Sequence, residues 1–389
     1  MINKNKLKTF LKKIPFLQRT YLFILSLPRL KNFLLLSCFY YPFSSLLGII
    51  VILIYPRNKQ NKSDSRKKIL TYEYKYYNSE KSMMSDGIDF IGPWLKKIDF
   101  RVSEFFCDEI KYKIFIKYYF FKEVMRLNPD LIVFSNPSPK AFYHPNSYLM
   151  ILSKLKLNFK IIFIWSDTVG HTFQPAIKHL INHKYFDLHL FNDWPSNKDN
   201  FLSSLSSDDQ KTIFYDHLPP ERLERFQINM KKKYDVVFMG QGSSYRDFRN
   251  EYIEYLKDHL KDYSCFFSLK HRNDQIDFEE HDLILSQAKI GINFSESHSN
   301  LNQYKGRVSY TMISGALLLE SQNDEISYYF TPNKDFVFFT SKEDLLKKIK
   351  YYIKNEDERL KIASNGRSTY LEKYNPNKSW PKILKLINF

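Results

Sequence analysis

The chain has 389 residues, 43% of them hydrophobic and 17% aromatic, and carries a formal net charge of +17. At roughly 100–200 residues per domain this length predicts two domains with an appendage, and the apolar content excludes a globally disordered chain. Three cysteines, Cys38, Cys107 and Cys265, stand far apart in no paired or ligand-like spacing; that argues against a disulfide framework and a zinc site, and fits a reducing compartment.

The charge is concentrated at the start. Residues 1–63 hold eleven Lys and Arg and no acid, so the remaining 326 residues carry only +6. A basic body would have pointed to nucleic acid or another polyanion, whereas a basic leader joined to an apolar run points to anionic lipid. Phe33 to Pro56 is 24 residues without a charged side chain, long enough for ~30 Å of hydrocarbon. Basic residues flank it on both sides, with Arg57, Lys59, Lys62, Arg66, Lys67 and Lys68 following, which penalises translocation in either orientation. An interfacial or re-entrant segment bent near Pro42 and Gly48, a single span, and a buried core helix are the alternatives. A run that starts this late, without a small-residue cleavage site, does not fit a signal peptide. The expectation is attachment through residues 1–63 at the cytoplasmic face of a membrane.

From Lys67 onward short β-rich runs alternate with helix-length segments. Lys68–Tyr72, Leu131–Phe134, Lys160–Trp165 and Leu188–Phe191 are continuous apolar runs, as parallel strands covered on both faces should be. Tyr112–Leu127 and Ser147–Leu157 are the helix candidates between them. The aromatic runs Tyr72–Tyr77 and Tyr118–Phe121 read as packing, and His179 and His183 share a helical face without a third ligand. After turn chemistry at Leu218-Pro219-Pro220 and a basic run at Lys231–Lys233 the pattern restarts. Strands are predicted over Asp235–Gly240, Ser264–Leu269, Lys289–Phe294, Ala316–Glu320 and Phe336–Phe339. Helices are predicted over Tyr245–His259, Val308–Ser314 and Lys342–Tyr352, the last opened by a Ser341-x-x-Asp344 cap signature. Glu356 to Phe389 reads as helical with a break at Gly366. The fold class is therefore α/β, with two Rossmann-type domains: leader 1–63, an acceptor-side domain 64–220 and a nucleotide-binding domain 221–389. In such sheets ligands sit beyond the carboxyl ends of the strands, here in a cleft between the two halves.

Three segments carry the chemistry. In Tyr304-Lys305-Gly306-Arg307 two cations flank a glycine just before a helix, a combination that suits a diphosphate: the guanidinium grips oxygens in bidentate fashion and helix-end amides add their dipole. The alternative is a solvated basic turn. Met239-Gly240-Gln241-Gly242-Ser243-Ser244-Tyr245-Arg246 follows a strand and precedes a helix, where glycine lets backbone approach a phosphate or sugar closely. Ser295–Asn300 is a polar loop at a strand end, with Asn293 and His298 as donor-contact candidates; a plain surface loop is the alternative. In the first domain Trp165-Ser166-Asp167-Thr168-Val169-Gly170-His171 places a carboxylate and an imidazole at a strand end. Asp167 or His171 would deprotonate an acceptor hydroxyl in an inverting transfer, the alternative being an N-cap and a helix-surface residue. Phe191-Asn192-Asp193-Trp194 is a similar, weaker candidate. No Asp-x-Asp metal motif is present.

From Asp235 to Trp380 the sequence resembles the C-terminal half of CgeB-like (spore-maturation-protein type) glycosyltransferases of the GT-B superfamily. The block Lys305-Gly306-Arg307, Gly315-Ala316-Leu317-Leu318-Leu319-Glu320, Asp324-Glu325, Phe339–Leu345 and Arg359–Arg367 carries the resemblance. It implies a GT-B fold and transfer of a hexose-type sugar from a nucleoside-diphosphate-sugar donor to a glycan or lipid-linked acceptor, with the nucleotide sugar as substrate, no cofactor and no metal. On that implication Arg307 and Lys305 neutralise the diphosphate, and Gly240, Gly242 and Arg246 open the nucleotide site. One position departs: where the family has a Glu expected to hold the ribose, this chain has Tyr310, which can donate to a hydroxyl but is no carboxylate. Glu320 or Glu296 would then take the role; an inactive membrane-bound scaffold is the rival reading, and a nucleic-acid binder a more distant one.

Overall fold

In a computed structural model of the protein, residues 65–73, 91–110, 116–135, 159–165, 186–191, 201–215, 226–240, 247–269, 278–296 and 302–389 are described, 324 and 375 excepted, with a few isolated positions between them. The leader and the segments holding Ser147–Leu157, Asp167, His171, Asn192–Trp194, Gly242, Arg246 and His298 lie outside these residues. Among the described residues no helix is long and apolar enough to cross a membrane.

The chain divides into two compact units. The first comprises residues 1–62, 109–128 and 144–157, of which the helix Ile116–Leu127 is described. It buries Phe120, Phe121, Val124, Met125 and Leu127, and Arg126 closes on Glu123 one turn earlier. The second unit holds two parallel sheets.

The first sheet has six strands: β1 (Lys68–Glu73), β2 (Arg101–Phe106), β3 (Leu131–Ser135), β4 (Lys160–Trp165), β5 (Leu188–Phe191) and β6 (Ile213–Tyr215), in the order β2-β1-β3-β4-β5-β6. All pairs are parallel. Alternation along each strand sends side chains to two different covers. Ile69, Leu131, Val133, Ile162, Ile164, Leu188 and Leu190 share one apolar cluster with Leu95 of helix α1 (Gly92–Lys97) and with the end of the chain. Among the offset residues Tyr72, Phe134, Phe163 and Trp165 form a run of ring contacts, tilted at the first pair and stacked at the next two.

The second sheet has five strands: β7 (Tyr234–Met239), β8 (Cys265–Ser268), β9 (Ala288–Asn293), β10 (Leu317–Ser321) and β11 (Val337–Phe339), in the order β11-β10-β9-β7-β8 and again all parallel. Val236, Phe238, Leu317 and Leu319 face Ile253 and Leu256 of helix α2 (Asp247–His259) and Leu345 and Ile349 of α3 (Lys342–Lys354). Val237, Met239 and Leu318 face Ile284 and Leu285 of α4 (Phe278–Ser286) and Val308, Met312 and Ile313 of α5 (Gly306–Ile313). Each such buried side chain stabilises the fold by about 1.5–3 kcal/mol relative to exposure. Ser341 caps α3 as its sequence predicts, accepting from the Asp344 amide at 3.1 Å.

Two sequence expectations need correction. Gly366 does not break the terminal helix: α6 runs unbroken over Glu356–Lys373. The glycine serves close packing instead, because a Cβ there would overlap the carbonyl oxygen of Asp335. That helix ends instead at Lys373, with Tyr374 as its C-cap, ahead of α7 (Pro376–Leu386). Nor does α7 end among the second sheet's helices. Its Trp380, Ile383 and Leu384, with Ile387, join the core of the first sheet, and Phe389 packs on Phe100 with Lys67 over its ring.

In both sheets the chain starts on an inner strand, adds one strand to one side, then crosses back to build the other side. The order reverses between β1 and β3, and again between β7 and β9. At such a reversal the connections leave the carboxyl edge in opposite directions and open a crevice for ligand.

Candidate functional site

The reversal between β7 and β9 is where the second sheet places its polar residues. Gly240 directly follows β7, Asn293 ends β9, Glu320 lies near the end of β10, and Lys305 is the N-cap of α5. Four sequence-predicted residues, Asn293, Arg307, Glu320 and Gly240, are brought together by geometry. Arg307 Nε donates to Asn293 Oδ1 at 2.9 Å, and its Nη1 reaches the Met239 carbonyl at 3.4 Å. Its guanidinium also lies over the Phe238 ring, 5.3 Å from the centroid. Gly240 is needed for this approach, since a Cβ there would sit 2.8 Å from Phe238 Cζ and 3.1 Å from Arg307 Nη1.

Beneath Arg307 lies a buried polar network. Asn293 Nδ2 donates to Glu320 Oε2 at 2.6 Å, and Ser295 Oγ donates to Glu320 Oε1 at 2.8 Å. Ser321 Oγ adds a longer bond at 3.2 Å. Asn293 and Glu320 are both 0% exposed. Burial pushes the Glu320 carboxyl up to about 7, while hydrogen bonds from Asn293, Ser295 and Ser321 and the charge of Arg307 pull the other way.

Lys305 stands half-buried at the start of α5, its Nζ donating to Gln303 Oε1 at 2.5 Å. The first turn of α5 carries no acid and the N-cap makes no side-chain hydrogen bond to it, so the amide dipoles there are not offset by a local carboxylate. Tyr310, one turn on, is a packing residue: it stacks on Phe226 with centroids 6.1 Å apart and meets His281 edge-on. Glu296 pairs across a single β-bridge with Asn302.

Sequence reasoning missed three contributors. Ser295 was read only as the start of a polar loop. The Met239 carbonyl has no sequence signal. Arg249 on α2 is fully buried, its guanidinium 5.7 Å from the Phe238 ring centre and 5.8 Å from that of Phe294; a charged residue on the inward, i+3/i+4 face of α2 beside Ile253 was the available clue.

The first sheet's described strand ends differ. Trp165 closes β4, and its Nε1 donates to His189 Nδ1 of β5 at 3.1 Å. His189 is buried, and desolvation lowers its pKa to about 3, so the imidazole is neutral at ordinary pH. Asp167 and His171, which follow Trp165, lie outside the described residues.

Comparison with known proteins agrees with this architecture. Residues 222–385 match the family model described as glycosyl transferase-like. No curated protein sequence matches the chain at a significant level. Among solved structures, Anabaena HepE in complex with UDP and glucose is similar at a TM-score of 0.53 and 12% identity, covering 82% of this chain and 99% of its own. An alpha-glucosyltransferase in complex with UDP-glucose and DNA containing an abasic site is similar at 0.58 and 10%, over 83% and 99%. Sucrose-phosphate synthase from Thermosynechococcus elongatus is similar at 0.53 and 12%, over 82% and 98%. At these identities the likeness is one of fold. Residues 222–385 thus match the glycosyl transferase-like family model, in a chain whose two parallel sheets share the fold of these solved structures.

Proposed function

We propose that this protein is a glycosyltransferase that moves a hexose-type sugar from a nucleoside diphosphate donor to a glycan or lipid-linked acceptor. The observation that carries the reading is Arg307, braced at Nε by Asn293 beside Gly240 and the first turn of α5, at the strand-order reversal of the second sheet. As the bond between the anomeric carbon and the phosphate oxygen breaks, negative charge grows on the diphosphate. Arg307, Lys305 and the α5 amides lie where a group of that charge would be stabilised most. No metal is required in this scheme. Gly242, Arg246 and His298 would contact the donor in this reading.

The new bond forms between the acceptor oxygen and the anomeric carbon. In an inverting course the acceptor proton passes to Asp167 or His171; in a retaining course the departing phosphate takes it. The acceptor is read as glycan or lipid-linked rather than nucleic acid because eleven basic residues sit in the leader, which would hold the enzyme at the cytoplasmic membrane face.

Thermal unfolding of the full chain with UDP, GDP, ADP and dTDP, followed by hydrolysis assays on the corresponding sugar nucleotides, tests this. One nucleotide should raise the midpoint by mass action, and its sugar form should turn over. Binding without turnover identifies a scaffold; no binding by any of the four ends the proposal.

A further inference from the structure

Arg307 is held in part by a chain of hydrogen bonds running inward. The chain passes from Arg307 Nε to Asn293 Oδ1 (2.9 Å), from Asn293 Nδ2 to Glu320 Oε2 (2.6 Å), and ends where Ser295 Oγ donates to Glu320 Oε1 (2.8 Å). Its direction is set at both ends. A guanidinium N–H can only donate, so the atom facing Nε must be the amide oxygen. That turns the amide nitrogen toward Glu320, whose carboxyl receives it whether ionised or protonated. Without that carboxyl the partner left at the inner end is the Ser295 hydroxyl, which accepts from Asn293 Nδ2 at 3.3 Å but can donate as readily, so the Asn293 side chain can turn over and set its NH2 against Nε, donor against donor.

The interposed amide has a second effect. A carboxylate touching Arg307 directly would form an ion pair and compete with an incoming anion. Here the Glu320 carboxyl stands one residue back, so it orients the guanidinium through Asn293 without pairing with it directly. At 0% exposure Glu320 has no surface with which to meet a donor itself.

We infer that Glu320, acting through Asn293, is a positioning residue that orients the Arg307 guanidinium for the donor diphosphate, an inference that rests on the site reading above.

The test is calorimetric binding to the full chain, using whichever of UDP, GDP, ADP and dTDP binds the wild type most tightly. Glu320→Ala should weaken binding about 10- to 30-fold, the scale of one or two lost buried hydrogen bonds. Glu320→Gln, whose amide oxygen still accepts from Asn293, should recover to within about threefold of wild type. In an Arg307→Lys background, where no Nε–H remains for Asn293 to hold, Glu320→Ala should cost less than about twofold more. Thermal unfolding monitors the fold of each variant. If Glu320→Ala does not fold, Ser295→Ala, which removes one donor bracing the carboxyl, carries the same cycle with a loss of about threefold. An equal loss in the wild-type and Arg307→Lys backgrounds, or Glu320→Gln as weak as Glu320→Ala, overturns the inference while leaving the donor site standing. A wild type that binds none of the four nucleotides overturns the site reading and this inference together.

Discussion

The two sheets share one winding pattern and parallel pairing throughout, yet they treat buried polarity differently. In the first sheet one buried titratable group, His189, accepts a hydrogen bond from Trp165 within an aromatic face and is kept neutral by desolvation. In the second, Glu320 is equally buried but sits among Asn293, Ser295 and Ser321, in contact through Asn293 with a cation that reaches the strand ends. Topology alone provides a crevice twice. In the second sheet, polar side chains wired to one another beneath the crevice brace a cation at the strand ends.

The comparison can be broken most directly at Arg307. Arg307→Ala should lower kcat/KM for sugar transfer by about 10²–10³-fold, the usual cost of removing a preorganised group that stabilises growing charge, measured in a steady-state assay with the identified donor. A loss below tenfold would mean that the second sheet's network does not serve the reaction. Gly240→Ala probes the same site more gently. Its Cβ would press on Phe238 and Arg307 Nη1, so KM for the donor should rise roughly tenfold, about 1.4 kcal/mol, with a smaller change in kcat.

The remaining effects come from pH, and there His189 and Glu320 should act in opposite directions. Lowering His189 to about 3 means that below about pH 6.5 the unfolded chain takes up a proton the folded chain refuses, so this group makes stability fall as pH falls toward 3. Raising Glu320 to about 7 means that between about 4.5 and 7 the unfolded chain releases a proton the folded chain keeps, so this group makes stability fall as pH rises through that window. Each slope approaches ~1.4 kcal/mol per pH unit. Urea midpoints between pH 5 and 6.5 should therefore tilt one way for His189→Gln and the other for Glu320→Gln. Parallel tilts would contradict the contrast.

What the sequence made legible follows the same division. Strands buried on both faces announce themselves as apolar runs, and β3, β4, β7 and β10 were readable for that reason. β2 was not, because Arg101-Val102-Ser103-Glu104 belongs to an edge strand with polar positions, and β6 is only three residues long. At the site, Lys305 and Arg307 stood out as cations around a glycine before a helix. Asn293 and Glu320 were visible as separate polar residues at strand ends, but their hydrogen bond spans 27 positions, and no local pattern encodes which strands lie side by side. Gly366 misled because glycine is a poor helix former and can mark a helix end; here it marks a place where the Asp335 backbone comes close.

The seating of Trp380, Ile383, Leu384 and Ile387 against Ile69, Leu131 and Ile162 bears on how the polypeptide matures on the ribosome. A strand made early waits for partners made more than 200 residues later, so the first sheet cannot complete its apolar cover until α7 has been made. Removing α7 would therefore uncover the first sheet, although α7 follows the second in sequence.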